Sequence, residues 1–228
     1  MHQSKFVNYV KKLVKKPWGN EYLVYANGIV AIWMLNIKSK KNTSLHCHTK
    51  KKTGLILLEG NVDVDLGFYE TKNLSAPDKV MLRPGLFHST KSLNTNSKLL
   101  EIETPIDKED LVRFEDNYGR QEQPYEGDQF FSELQKDEIL FKEPGDFKQE
   151  YIFNDSILKF ERHYNCSKLI NKSDDTIFAI IKGGLFSVNS QIVLSPGDVV
   201  RTETVKKLSE VFKIKNYIDV LVINKNDK

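Results

Sequence analysis

The stretch Ser44-Leu-His-Cys-His-Thr-Lys-Lys-Lys-Thr-Gly-Leu-Ile-Leu-Leu-Glu-Gly60 decides how the chain folds. Its apolar run, Leu55 to Leu58, has the length of a β-strand and is closed by Glu-Gly. Successive side chains of a strand point to opposite faces, so His46 and His48 share one face and Cys47 points away. Two imidazoles placed in this way can bind one metal ion.

A third histidine follows a turn signal further along the chain. Arg83-Pro-Gly-Leu-Phe-His88 predicts a tight turn that runs into a strand, because Pro fixes φ and Gly permits a positive φ. Three of the five histidines therefore occur in two motifs. We predict one divalent metal ion on His46, His48 and His88. The alternative is that the pair before the apolar run faces solvent and binds nothing.

Composition excludes several classes of function. The chain has 228 residues, which suits one large β domain or two small ones, and its net charge of +3 is too small to indicate nucleic acid. No apolar run approaches a membrane span, and the N-terminus lacks the apolar segment of a signal peptide. Two cysteines, Cys47 and Cys166, form no disulfide framework, so we expect a cytoplasmic protein.

Many short strands separated by turn signals predict a mainly β protein built from jelly-roll barrels with a few short helices. Asn27-Gly28 is a strong hairpin signal. Helices are predicted at three places: from Phe6 to Val14, from Asp107 to Gly119 with an apolar stripe of Leu111, Phe114 and Tyr118, and around Phe130 to Leu134.

From Tyr151 the β pattern resumes in the earlier order of strand, glycine, strand, Pro-Gly turn and strand, as in a weak internal repeat. The positions that correspond to the three histidines are Leu169, Asn171 and Val200, so this copy lacks the ligands. We predict a first barrel with a closing helix over residues 1–120, a connector over 121–150 and a degenerate second barrel over 151–228.

The two histidine motifs resemble those of the cupin superfamily. Together with two further motifs, they resemble the cupin half of type II mannose-6-phosphate isomerases, which is often fused to a mannose-1-phosphate guanylyltransferase. The further motifs are Lys16-Pro-Trp-Gly19 and Glu109-Asp-Leu-Val-Arg113-Phe-Glu115-Asp116-Asn-Tyr118-Gly119-Arg120. The resemblance implies a cupin fold, here as a bicupin with a degenerate second half. It also implies a metal-dependent isomerase of carbohydrate metabolism or polysaccharide biosynthesis.

One departure from that family changes the expected metal site. The family's motif glutamate falls at Thr53, and the stretch after His48 is longer than in the family. Three histidines without the carboxylate suit Zn²⁺, and imidazole also accepts Fe or Mn. We expect Thr53 near the ion without ligating it, and the identity of the metal stays open.

The implied chemistry assigns roles to further residues. Glu101 and Glu103 share a strand face and are the candidate catalytic bases. Several lysines lie close in sequence to His46 and His48. They either bind a phosphate or form a solvated loop. The candidate substrate-binding cations are Lys50, Lys52, Arg83 and Arg120. Arg113 and Glu115 are predicted to be structural, because they lie on the second predicted helix but outside its apolar stripe.

Three functions remain open on the sequence. The first is a metal-dependent isomerase or epimerase of a sugar phosphate or a related nucleotide-sugar compound. The second is a cupin that binds a sugar without chemistry, which the missing glutamate favours. The third is a three-histidine iron dioxygenase of a small substrate. We expect a small-molecule partner, no nucleic acid and no membrane, and a homodimer is open as the assembly.

Overall fold

The computed structural model describes residues 9–142 and 149–227. The chain is mainly β, with nineteen strands and two short α-helices in those ranges. The strands of the first half are β1 Lys12–Lys16, β2 Gly19–Ala26, β3 Ala31–Ile37, β4 Leu45–Cys47, β5 Lys52–Glu59, β6 Asn61–Leu66, β7 Glu70–Ser75, β8 Asp78–Leu82, β9 His88–Ser92, β10 Ser97–Thr104, β11 Val112–Glu115 and β12 Phe131–Glu133.

The remaining elements lie in the second half. They are β13 Glu150–Ile152, β14 Ser156–His163, α1 Ser167–Ile170, β15 Ile177–Lys182, β16 Leu185–Phe186, β17 Ile192–Leu194, β18 Val199–Arg201, α2 Thr202–Ser209 and β19 Ile218–Lys225. Neither helix is long and apolar enough to cross a bilayer, and the described ranges hold no other α-helix.

Two antiparallel sheets form the jelly roll of the first half. One has seven strands in the order β12-β1-β2-β3-β10-β5-β8, and the other has five in the order β11-β4-β9-β6-β7. Alternation along these strands turns one set of apolar side chains inward between the sheets. Trp33, Leu57 and Val62 are fully buried members of this inner core. The predicted β jelly-roll architecture is therefore present.

The second half packs against the outside of that jelly roll. Its main sheet has five strands in the order β13-β14-β19-β15-β18, and a core of buried residues is shared by the two halves. Ile56 and Leu100 of the first half belong to it together with Leu158 and Leu221 of the second. The other face of the sheet is covered by α1 and α2, with Phe178 and its neighbours between them. The assignment of this half as a second barrel stays a prediction.

The residues Asn27 and Gly28 determine the turn of the first hairpin. Asn27 Oδ1 accepts hydrogen bonds from the N–H groups of Ile29 and Val30, both at 3.0 Å. Gly28 has φ +81°, a left-handed conformation that glycine adopts without steric strain. The antiparallel pairing of β2 with β3 on either side confirms the hairpin predicted from Asn27-Gly28.

The predicted helices are wrong where the structure describes them. Residues 12–16 form β1 between β2 and β12, while residues 1–8 of that prediction lie outside the described ranges. Residues 112–115 form β11, which pairs with β4. Val112 and Phe114 are exposed while Arg113 between them is buried, a period of two. The segment around Phe130 is one 3-10 turn, Asp128–Phe130, followed by β12.

Candidate metal centre

Strand pairing brings the three predicted histidines to one place. His46 lies in β4, His48 follows that strand directly, and His88 opens β9 as the antiparallel partner of His46. The Pro-Gly turn fixes this arrangement, because Gly85 adopts φ +76° and its N–H donates to the carbonyl of His48 at 2.7 Å. The sequence spacing and the turn therefore act together to build the cluster.

The imidazoles are close enough to bind one ion. His46, His48 and His88 each offer a ligand atom that lies within 4.8 Å of the other two. The ring centroid of His46 lies 4.4 Å from that of His88 and 5.1 Å from that of His48. Such a convergence suits a single divalent cation that takes three nitrogen ligands.

Each ring is held by the nitrogen that faces away from the cluster. The Nδ1 atoms of His46, His48 and His88 lie 2.8, 2.6 and 3.0 Å from the backbone carbonyls of Ser44, Asp110 and Leu86. A carbonyl oxygen only accepts, so each Nδ1 carries the proton and each Nε2 keeps its lone pair. This is the tautomer and the orientation that a metal ligand requires.

The nitrogen of His48 that faces the cluster shows that the residues fit a metal ion. His48 Nε2 is buried and has no hydrogen-bond partner among the described residues. A buried polar atom without a partner is uncommon and indicates an unfilled interaction. Because this atom is an imidazole lone pair beside two others, a divalent cation is the ligand that would satisfy it.

Burial keeps the imidazoles neutral. It lowers the pKa of all three, and the neighbouring positive charge of Lys51 adds to the effect in lowering the pKa of His48 to about 3. Neutral imidazole is the form that binds metal, so at neutral pH few protons compete with an ion for this site.

Asp110 fixes the chain directly after His48. Its Oδ1 accepts from the N–H and hydroxyl of Thr49 at 2.8 and 2.7 Å, and its Oδ2 accepts from the N–H groups of Lys50 and Lys51 at 2.9 and 3.0 Å. These hydrogen bonds to the ionised form lower the pKa of Asp110 to about 2 despite its burial. The same residue also accepts from His48 through its carbonyl.

We expect Asp110→Ala to lower the free energy of unfolding by about 2–4 kcal/mol at pH 7, because three backbone N–H groups lose their acceptor. An ionised carboxylate with a lowered folded pKa stabilises above the unfolded pKa of about 3.9, and this contribution is lost as pH falls toward 2. Urea unfolding at pH 7 and pH 3 measures both effects. The exposed β11 variant Glu115→Ala is the control, and equal stability of the two variants at pH 7 would contradict the assignment.

A pocket opens beside the histidines and is lined mainly by ionisable groups. We call it the histidine pocket. Its ionisable lining residues are His46, His48, Lys16, Lys51, Lys108, Glu21, Glu101, Arg113, Arg120 and Tyr125. Apolar walls come from Trp18, Leu35 and Leu111. The pocket can therefore present acids and bases to a polar ligand next to the clustered histidines.

The two candidate bases lie at different depths of β10. Glu101 lines the histidine pocket, and its Oε1 lies 3.6 Å from the Nζ of Lys108. Glu103 is fully buried behind the pocket, where it accepts from Trp33 Nε1 at 3.0 Å and from Lys51 Nζ at 2.6 Å. Of the two carboxylates, Glu101 is thus the one that a bound ligand can reach.

The four candidate substrate-binding cations separate in the structure. Arg120 lines the histidine pocket and is held there by Asp116 and Glu126, each at 2.6 Å. Lys52 turns to the second half of the chain, where it pairs with Asp198 at 2.7 Å. The other two, Lys50 and Arg83, are exposed and do not line the pocket.

Arg113, predicted to be structural, lies in β11 rather than on a helix. It lines the pocket wall, and its guanidinium donates to the carbonyls of Gln123 and Pro124 at 2.7 and 2.6 Å. It also pairs with Glu126 at 3.1 Å. These contacts tie the loop after β11 to the pocket. The neighbouring Glu115 is exposed on the same strand.

Sequence reasoning missed a second group of pocket residues. Glu21 accepts a short hydrogen bond from the Tyr125 hydroxyl and lies 3.4 Å from Lys108 Nζ and 3.5 Å from Lys16 Nζ. The cations lower the pKa of Glu21 to about 2 although burial opposes this. Lys108 also lies 3.8 Å from the ring centroid of Trp33. Lys16 stands in a quoted motif, but the other members carry no signal in the sequence.

Thr53 stands where the missing glutamate is expected. It lies in β5 as the register partner of Glu103 on β10, so the two side chains share the inner face of the sheet. Its hydroxyl is buried and has no hydrogen-bond partner among the described residues. The structure therefore places a buried carboxylate one strand away from the position that lost one.

The chain is similar to solved structures over part of its fold. No protein-family model matches it, and no curated protein matches it. Among solved structures, KdgF from Halomonas sp. is similar over 40% of this chain and 84% of its own, with 16% identity and a TM-score of 0.39. A putative sugar phosphate isomerase from Acidithiobacillus ferrooxidans matches over 35% and 52%, with 18% identity and a TM-score of 0.32.

A third similar structure is a cupin 2 conserved barrel domain protein from Rhodopseudomonas palustris. It matches over 38% of this chain and 61% of its own, with 12% identity and a TM-score of 0.36. Each of these likenesses is to a domain smaller than the whole chain and covers less than half of it.

Proposed function

We propose that the chain is a metal-dependent cupin that acts on a sugar phosphate or a related nucleotide-sugar compound, as an isomerase or epimerase of the mannose-6-phosphate isomerase type. The observation that carries the proposal is the convergence of three Nδ1-anchored imidazoles beside a pocket that contains Glu101. A Lewis acid next to a general base is what proton transfer beside a carbonyl requires.

His46, His48 and His88 would hold the ion, which would be Zn²⁺, Fe²⁺ or Mn²⁺. When bound, it supplies polarisation of a carbonyl oxygen. Glu101 moves a proton between the carbonyl carbon and its neighbour. The Nζ atom of Lys108 lies 3.6 Å from its Oε1 and helps to hold this carboxylate in the pocket. Arg120 lines the pocket, where Asp116 and Glu126 hold its guanidinium, and it is the candidate group for binding a phosphate.

A second candidate is a cupin that binds a sugar without chemistry. The ion pairs of the pocket favour it, because Glu126 pairs with both Lys16 and Arg113 and so holds these two cations within the protein. Three histidines without a carboxylate keep the iron dioxygenase as a third candidate. A cytoplasmic location, a small-molecule partner, a homodimer and the lack of nucleic-acid or membrane partners belong to the same proposal.

The test is a substrate screen over hexose and pentose phosphates and nucleotide sugars, with protein reloaded separately with Zn²⁺, Mn²⁺ and Fe²⁺. We expect interconversion of an aldose phosphate with a ketose phosphate or an epimer, and exchange of one C–H hydrogen with deuterium from D₂O. Sugar binding without exchange would favour the second candidate. Oxygen consumption by the iron-loaded protein would favour the third.

A further inference from the structure

A buried lysine lies next to the three-histidine centre. Lys51 follows His48 by three positions, is 1% exposed and lines the histidine pocket together with His46 and His48. Ammonium groups are very seldom fully buried, so this one calls for a physical role.

One carboxylate that does not line the pocket compensates the charge of Lys51. Lys51 Nζ donates to Glu103 Oε2 at 2.6 Å, and Glu103 is fully buried and also accepts from Trp33. Lys51 lines the pocket and Glu103 does not. Glu103 thus fixes the ammonium of a residue that lines the pocket.

Two further polar atoms of the segment from His48 to Thr53 are buried. His48 Nε2 and Thr53 Oγ1 are both buried and lack a partner among the described residues. A divalent ion bound to the imidazoles would pair with His48 Nε2. A centre of three neutral histidines would also carry more positive charge than a centre that includes a carboxylate ligand. The missing motif glutamate at Thr53 therefore adds to the effect of Lys51.

We propose that Lys51 makes the pocket beside the three histidines an anion site, which takes the negatively charged oxygen of a carboxylate, a phosphate or an enolate. The proposal deepens the proposed function and rests on its metal centre. For an isomerisation, it assigns Lys51 to stabilise the negative charge that develops on the substrate oxygen when the neighbouring carbon loses its proton. Glu103 is then a positioning residue.

The test uses the full chain loaded with Co²⁺ and azide as the anion, without any sugar substrate. The visible spectrum of the bound Co²⁺ reports both metal loading and anion binding. Lys51→Met removes the ammonium, and the double variant Lys51→Met with Glu103→Gln removes both charges, so that no buried carboxylate is left unpaired. Lys91→Met is the control, because Lys91 is exposed on β9, the strand that carries His88.

We expect the dissociation constant of azide to rise about tenfold in the double variant, because the ammonium that is lost belongs to a residue lining the pocket, while the carboxylate that is lost with it does not line the pocket. Lys91→Met should leave it unchanged. Glu103→Gln alone should lower it, because the ammonium loses its counter-charge. A double variant that binds Co²⁺ and azide as tightly as the wild type would overturn the anion site. A wild type that binds no Co²⁺ would instead overturn the proposed function, and the anion site with it.

Discussion

Replacing His48 with Ala is expected to lower the affinity for Zn²⁺ by at least about 100-fold. Mutation of a group that only orients a metal ligand already lowers metal affinity about 10–100-fold, and the loss of the ligand itself lowers it further. His48 is the ligand with the strongest structural case, since its Nε2 is buried without a partner and its Nδ1 is fixed by Asp110 at 2.6 Å. Two remaining imidazoles hold a divalent ion poorly.

Competition against a chromophoric chelator measures this affinity for wild type and variant at pH 7. His163→Ala is the matched control, because His163 lies in β14 of the second half and pairs with Glu161 at 2.9 Å. It should bind Zn²⁺ as the wild type does. Equal affinities of wild type and His48→Ala, with His163→Ala also unchanged, would contradict the three-histidine centre.

The Glu101→Gln variant is expected to lose turnover by a factor of about 10²–10⁴, the usual contribution of a general base. Gln has the shape of Glu and keeps a hydrogen-bonding side chain in the pocket, but it cannot accept the proton. Metal affinity and melting temperature should stay near the wild-type values, because Glu101 is not among the clustered ligand atoms and lines an accessible pocket.

The measurement is the rate on the substrate found by the screen, together with exchange of the substrate C–H hydrogen in D₂O. Glu103→Gln is the contrasting variant. It should lower the melting temperature, because it leaves the buried Lys51 ammonium without its counter-charge. If Glu101→Gln kept full turnover and exchange while it remained folded and loaded with metal, the base would have to be another group.

The clustering of the three histidines could be predicted from the sequence because local rules place them. The period of two puts His46 and His48 on one face, and the Pro-Gly turn brings His88 to the start of the neighbouring strand. The spacing did not show the anchoring of each Nδ1 by a backbone carbonyl. One of these carbonyls belongs to Asp110, which is far away in the sequence.

The segment from Asp107 to Gly119 shows why a local pattern can mislead. Its capping residue, apolar stripe and terminal glycine all favour a helix, yet residues 112–115 form a strand beside β4. Pairing with β4 is a long-range interaction that local propensity does not register. Asp107 still accepts from a backbone N–H two residues on, that of Glu109 at 3.0 Å, as part of a turn.

The charged wall of the pocket could not be predicted from local sequence patterns, because long-range contacts assemble it. Glu21, Lys108 and Tyr125 come from three distant segments, and each is an ordinary polar residue in its own stretch. Lys52 shows the converse case. It belongs to the lysine run after His48, but strand β5 directs it to Asp198 of the second half rather than into the pocket.

The most direct test of the account is the metal content of the wild-type chain, measured by inductively coupled plasma mass spectrometry after purification without added metal and after dialysis with Zn²⁺. The three anchored imidazoles predict about one ion per chain after loading, and less than a tenth of that in His48→Ala treated identically. A wild-type content near zero, equal to that of His48→Ala, would contradict the metal centre and leave a sugar-binding protein without metal as the better description.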